Sequence, residues 1–257
     1  MDILMESNHT YRLISVEYLN ALPFIHAFKN PSIINRFNIQ TGTPKECAEA
    51  LSNDDVDIAL LPVGALQESS KLNLVSEYCI GCDGEVRTVC IFSNLEFDKI
   101  KTINEDPNSR TSNLLLQTLN KHFWASNGIR ILSPNIPNQT ADGYLIIGDQ
   151  AFEAENKFRF KYDLGEIWKQ QTGYPFTFAI WVSKSEIPKE IIKTFNQSIK
   201  DFLSDENNLE KILSEYPANL GLKEYYSKNI SYEFDQKKRE SLQYFFELLG
   251  QTLPINI

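Results

Sequence analysis

The chain has 257 residues, 42% hydrophobic and 23% charged, a composition that excludes a disordered chain, a collagen-like repeat or a disulfide scaffold. At ~150 residues per domain, it has room for one large domain or two small ones. Twenty-five basic residues against 34 acidic ones leave a net charge of −9, which argues against a nucleic-acid or anionic-membrane binder, because the phosphate attraction such binding needs becomes repulsion. The three histidines, His9, His26 and His122, are too dispersed for a histidine-built metal centre.

The opening Met1-Asp2-Ile3-Leu4-Met5-Glu6-Ser7 has neither the basic nor the apolar region of a secretory signal. No apolar run approaches the ~18 residues of a membrane span. Four cysteines (Cys47, Cys79, Cys82, Cys90) fit a cytoplasmic, reduced setting. Cys79-Ile80-Gly81-Cys82 is formally a CxxC, but without a second pair or a nearby histidine it reads as structural thiols.

Strand and helix signals alternate from the start. Tyr11 to Val16 is β-rich, Ala21 to Phe28 reads as a short helix, and Phe37 to Gln40 as a second strand. Thr43 before Pro44, with Glu46 in the first turn, opens a helix to about Ser52. Asp57-Ile58-Ala59-Leu60-Leu61-Pro62-Val63 suits a strand buried on both faces, as in a parallel sheet. Val86 to Ser93 is a further strand, followed by strand signals at Ile100 to Ile103. A helix opens at Asn108 to Ser112 and carries Leu115, Leu119 and Phe123 at helical spacing. Strands at Ile129 to Leu132 and Tyr144 to Ile147 precede a helix over Asp163 to Gln171 and a long apolar strand over Phe176 to Val182. From Pro188 onward the chain is helical, and no period repeats.

These elements imply an α/β protein with two lobes and a ligand cleft between them, resembling the type II periplasmic-binding-protein fold. The expected division is a discontinuous first lobe, residues 1–92 and 180–257, interrupted by a second at 93–179. The strands near 87–93 and 176–183 are expected to carry the chain across.

Five places carry chemistry. Asn20 follows the first strand, where ligands of open α/β sheets bind; it also suits a helix cap. Asp106-Pro107-Asn108-Ser109-Arg110-Thr111-Ser112 sets a helix N-terminus among three hydroxyls and a guanidinium, a cradle for a carboxylate or phosphate, although capping by Ser109 accounts for one of them. Gly148-Asp149 ends a strand; the glycine permits close approach of a ligand, while Asp149 also suits a cap. Thr88 lies in the first crossing strand, and Thr172 enters the second, where Trp181 either lines a slot for a planar ring or packs in the core. No phosphate loop occurs, so nucleotide cofactors are disfavoured.

The order of seven motifs resembles the chorismate dehydratase family of menaquinone biosynthesis. They are Tyr18-Leu19-Asn20-x-x-Pro23, Asp57 to Val63, Gly84-x-Val86-x-Thr88-Val89 with Ser93, Asp106-x-x-Ser109-Arg110-Thr111-Ser112, Gly148-Asp149-x-Ala151, Tyr162-Asp163-Leu164-Gly165-x-x-Trp168, and Thr172-Gly173-x-Pro175-Phe176-x-Phe178-Ala179-x-Trp181. The resemblance implies a hydro-lyase that takes water from chorismate to give 3-[(1-carboxyvinyl)oxy]benzoate without a cofactor or metal. It assigns Asn20 and Thr88 as catalytic; Ser109, Arg110, Thr111, Ser112, Gly148, Asp149 and Thr172 form the expected substrate-binding set. Many members carry serine where this chain has Thr88, and serine also often stands in the place of Glu17. No histidine falls in a matched motif, so the hypothesis is that the substrate's own enolpyruvyl carboxylate acts as base. The competing class is a non-catalytic small-anion binding module of solute-binding-protein type. The expected partner is the small-molecule substrate alone, with no nucleic acid or membrane, and both monomer and homodimer stay open.

Overall fold

A computed structural model describes residues 9–68, 71–134 and 140–257; the acidic opening segment lies outside them. Strand β1 (Tyr11–Val16) buries its last four residues and leads through a 3-10 turn (Leu19–Ala21) into α1 (Leu22–Phe28). After β2 (Phe37–Gly42), α2 (Pro44–Ser52) starts as its residues dictate: Thr43 Oγ1 accepts from Glu46 N, and the Glu46 carboxylate accepts from Thr43 N. This reciprocal capping box, with Pro44 at the first helical position, satisfies donors that a helix start otherwise leaves open.

Strand β3 (Ile58–Pro62) is buried at every position. It is followed by a 3-10 segment (Val63–Glu68) and by β4 (Asn73–Cys82), which holds Cys79 and Cys82. All four cysteines are free and buried. The chain then passes through 83–88 to β5 (Val89–Ser93), β6 (Thr102–Asn104), α3 (Arg110–His122), β7 (Arg130–Leu132) and β8 (Gly143–Ile147). Helix α4 (Gln150–Ala154), β9 (Phe160–Asp163) and α5 (Leu164–Thr172) complete this section. The chain returns through 173–175 to β10 (Phe176–Ser183), buried throughout, and continues as α6 (Lys189–Ser204) and α7 (Glu206–Ser214). The one-turn α8 (Leu222–Glu224) runs into a π-helical turn (Tyr225–Asn229), then β11 (Ser231–Glu233) and α9 (Gln236–Leu248) follow.

Two sheets result, ordered β11-β4-β10-β3-β1-β2 and β7-β6-β8-β5-β9. In the first, β1 runs parallel to β2 and β3, whereas β10 is antiparallel to β3 and β4. The second repeats the plan: β6 is parallel to β7 and β8, and β5 is antiparallel to β8 and β9. The two strands expected to cross between lobes therefore each belong to one sheet. Both edges of β5 are paired within the second sheet and both edges of β10 within the first, so each is an interior strand of one sheet. The sheet changes fall at 83–88 and 173–175, each earlier in the chain than residues 92 and 179.

The first sheet is cemented by aromatic rings. Trp181, fully buried in β10, meets Phe24, Phe28 and Phe195 with centroids 5.7, 6.0 and 5.2 Å away. Trp181 is thus a core residue, and burial of each such ring stabilises the fold by about 2–3 kcal/mol. On α5, Trp168 packs on Phe176 and Phe245 and donates its Nε1 hydrogen to Pro175 O and Ser241 Oγ, both at 3.2 Å.

The first crossing and the helix that leads to the second share one buried carboxylate. Asp163 caps α5 by accepting from Glu166 N at 3.0 Å, and it accepts from Val86 N at 3.1 Å and Arg87 N at 2.6 Å in the first crossing. The Cys90 thiol adds a longer bond. Burial pushes the Asp163 carboxyl above the usual carboxylate range, outweighing the opposite pull of the backbone donors. Asp163→Ala strands three backbone N–H groups and is expected to cost roughly 3 kcal/mol or more, with Asp163→Asn less damaging; denaturant unfolding of the two variants checks this order.

Candidate active site

The ends of β1, β3 and β8, the first crossing, β10 and the start of α3 enclose a cavity of about 380 Å³. Its apolar lining comes from Val16, Ile80, Val86, Val89, Ile147 and Phe178, and its polar lining from Tyr18, Asn20, Thr88 and residues 108–112. Two rim cations are already paired: Lys45 with Glu49 at 3.5 Å, and Arg110 with Glu68. All four are exposed side chains, so each pair is weak and open to displacement.

Thr88 is not within a strand; it sits in the crossing just before β5, because Asp163 holds the preceding backbone in a bend. Its hydroxyl is buried and lies 3.0 Å from the Tyr225 hydroxyl, with Val86 O more distant at 3.4 Å. The Asn20 amide also acts on Tyr225. Asn20 is not a helix cap: its backbone O accepts from Tyr232 at 2.9 Å, and its buried Oδ1 has no hydrogen-bond partner among the described residues. Asn20 and Thr88, 68 positions apart in the sequence, are thus brought together around a residue that sequence reasoning passed over. Only the Tyr225-Tyr226 pair after Gly221 marked that place, and adjacent tyrosines carry no motif.

The α3 N-terminus lines the cavity, and its hydroxyls are partly employed. Ser109 Oγ accepts from Ser112 N at 3.1 Å and donates to Ser112 Oγ at 2.8 Å. Thr111 Oγ1 accepts from Gly64 N at 3.0 Å. The hydroxyl hydrogens of Thr111 and Ser112 remain for a ligand, beside the first N–H groups of the helix and the positive end of its dipole. Gly64 is a close approach: a Cβ there would lie 2.8 Å from Thr111 N. Buried Asp106 accepts from Asn108 N at 2.8 Å and shapes the turn before the helix.

Gly148 lines the cavity with φ +62°, and a Cβ would meet the Tyr18 ring at 3.1 Å. Two expected binding residues lie elsewhere. The Asp149 carboxylate neither lines the cavity nor caps α4; it turns to the Leu19 backbone N at 3.3 Å, across the two sheets. Thr172 closes the end of α5, donating to Trp168 O at 2.8 Å and accepting from Tyr174 N at 3.1 Å, away from the cavity. Glu17 is exposed and outside the lining, so its carboxylate does not face a ligand.

Two α/β sheets with paired crossings and a cavity at their strand ends define a protein of the periplasmic-binding-protein fold. A solved protein of Archaeoglobus fulgidus shares it with a TM-score of 0.70 at 13% identity, over 95% of this chain and 98% of that one. The alkanesulfonate-binding protein SsuA of Xanthomonas axonopodis pv. citri does so at 0.65 and 12%, over 96% and 98%. The family described as Menaquinone biosynthesis matches residues 11–251, and the chain belongs to it. Among curated proteins, the chorismate dehydratase of Thermus thermophilus is 25% identical over 91% of this chain and 93% of its own. The chorismate dehydratase of Campylobacter jejuni is 27% identical over 70% and 71%.

Tyr18 supplies a pH test. Burial first, then the charges of Asp106, Asp149 and Glu17, push its hydroxyl from 10.0 up to about 12. The folded state therefore keeps a proton that the unfolded chain loses above pH 10, so stability present below pH 10 falls as pH rises towards 12. The thermal midpoint is expected to decline across that window, less steeply in Tyr18→Phe. Gly148→Ala is expected to destabilise by about 1–2 kcal/mol and to displace the Tyr18 ring, read by thermal unfolding and tyrosine fluorescence.

Proposed function

We propose that this protein is a hydro-lyase that removes water from chorismate to give 3-[(1-carboxyvinyl)oxy]benzoate, using no cofactor. What supports this most is that Asn20 and Thr88 converge on one cavity wall in a chain whose curated relatives are chorismate dehydratases. Four buried free thiols suit a reducing compartment, and the reaction belongs in the cytoplasm.

The chemistry needs orientation more than reactive groups. Loss of the C3 hydrogen and the C4 hydroxyl makes the ring aromatic, so the substrate carries the driving force. The C3–H bond breaks and its proton passes to the substrate's enolpyruvyl carboxylate. The electron pair becomes ring π-density as the C4–O bond breaks, and the departing hydroxyl leaves as water with that proton. The cavity lining contains no histidine, and its carboxylates Glu49 and Glu68 are on exposed side chains that nothing buried holds in place to take a proton. A base supplied by the substrate resolves that shortage.

Each part of the lining then has a task. The apolar residues Ile80, Val89, Ile147 and Phe178 receive the ring. One carboxylate sits at the α3 N-terminus, where Thr111 and Ser112 donate and Arg110 exchanges Glu68 for the substrate. Asn20 and Thr88 orient the enolpyruvyl group and hydrogen-bond the leaving hydroxyl. Incubation of the purified protein with chorismate is expected to give a product lighter by one water. Asn20→Ala and Thr88→Ala are each expected to slow turnover by roughly 10²-fold. Full turnover in both variants would overturn the residue assignment, and binding without conversion would make the protein an anion-binding module instead.

A further inference from the structure

Tyr225 lies behind the cavity wall rather than in it, and we infer that it is a positioning residue: its hydroxyl donates to Thr88 Oγ1 and thereby turns the Thr88 hydrogen towards the substrate's departing hydroxyl. This rests on the proposed dehydration. The Oη···Oγ1 distance is 3.0 Å between two buried groups. A threonine hydroxyl has one hydrogen to give and can accept from others. When Tyr225 fills an acceptor site of Thr88, the competing use of the Thr88 hydrogen is the long, 3.4 Å contact to Val86 O. A ligand oxygen in the cavity replaces that contact easily, because a bond of that length is weak. Burial, the largest influence, keeps Tyr225 protonated and outweighs the Thr88 and Asn20 bonds that favour its anion. Tyr225 is therefore a standing donor, and no proton leaves it during the reaction.

The surroundings of Tyr225 hold it to that task. Its backbone N donates to Gly221 O at 3.1 Å, and its ring meets the edge of Phe152 with centroids 5.3 Å apart. The Arg87 guanidinium touches both supports: it donates to Leu220 O at 3.2 Å and Gly221 O at 3.4 Å, and it lies 4.7 Å over the Phe152 ring. Two further bonds, at 3.1 and 3.0 Å, tie it to the Glu155 carboxylate. A Cβ at Gly221, where φ is +65°, would meet Arg87 Nη1 at 3.0 Å, so glycine here spares both a tight contact and backbone strain. Arg87 directly precedes Thr88 and holds φ +67°, a conformation that a non-glycine residue keeps only when its surroundings enforce it. The side chain that anchors the Tyr225 segment thus belongs to the residue whose strained backbone sets Thr88. The contacts close into a ring, from Arg87 along the chain to Thr88, across to Tyr225, back to Gly221 and to Arg87.

A double-variant cycle on chorismate turnover tests this. Tyr225→Phe keeps the ring and removes only the hydroxyl, and is expected to lower kcat about tenfold with KM unchanged. Thr88→Val removes the hydroxyl through which Tyr225 acts, so Tyr225→Phe combined with Thr88→Val should be no slower than Thr88→Val alone. Losses that multiply, or full kcat in Tyr225→Phe, overturn the inference. Should Tyr225→Phe fail to fold, Arg87→Lys, which gives up the two-bond grip on Glu155, passes through the same cycle under the same criterion. Wild-type turnover is measured first and by itself decides the dehydration. If the wild type does not convert chorismate, the inference falls with the reaction it rests on; if it does, losses that multiply overturn the Tyr225–Thr88 link alone.

Discussion

The carboxylate of Asp163 is the constraint on which the arrangement of the site depends. A chain that leaves one sheet and returns from another must do so through two irregular segments, and irregular segments leave backbone donors without ladder partners. Here one side chain takes up the donors of Val86 and Arg87 in the outgoing crossing and caps the helix that leads into the returning one. The outgoing crossing and the start of the helix before the returning one are thereby held at a single buried point. Arg87 acquires its unusual φ beside it, and Thr88 emerges from the same turn facing the cavity and Tyr225.

Net charge and local charge play separate parts. A protein at −9 repels anions at long range. At short range, the cavity offers a helix N-terminus, two hydroxyl hydrogens and two cations in weak, exposed ion pairs. Exchanging Glu68 for a ligand carboxylate conserves one salt bridge at Arg110 and costs little desolvation, since that pair stands in solvent. The apolar part of the lining does the opposite work, favouring a flat ring by removing its faces from water. For a reaction whose product is aromatic, such orientation and selective solvation meet most of what the protein must provide.

Much of the local architecture was legible in the residues themselves. Thr43, Pro44 and Glu46 specify a helix start through bonds four residues wide, and the largely apolar runs at Ile58–Pro62 and Phe176–Ser183 suit strands buried on both faces. Strands β4, β9 and β11 were not legible. The first is interrupted by polar Ser76 and Glu77, and the other two are too short to show a period, held by sheet neighbours rather than by pattern. Asp149 and Thr172 stand in motifs, yet their side chains serve the backbone, at Leu19 N and Trp168 O.

The sequence by itself determined the α/β alternation, the helix caps, the family and the identity of Asn20, Thr88 and the α3 N-terminus as lining groups, because each of these is written in contiguous residues. Only the tertiary structure decided which sheet owns β5 and β10, which hydroxyls are already spent within the protein, and that Tyr225 stands behind Thr88. Those depend on contacts such as the one between Thr88 and Tyr225, 137 positions apart. No local propensity encodes a contact of that span; it exists only once both sheets and the C-terminal helices have packed.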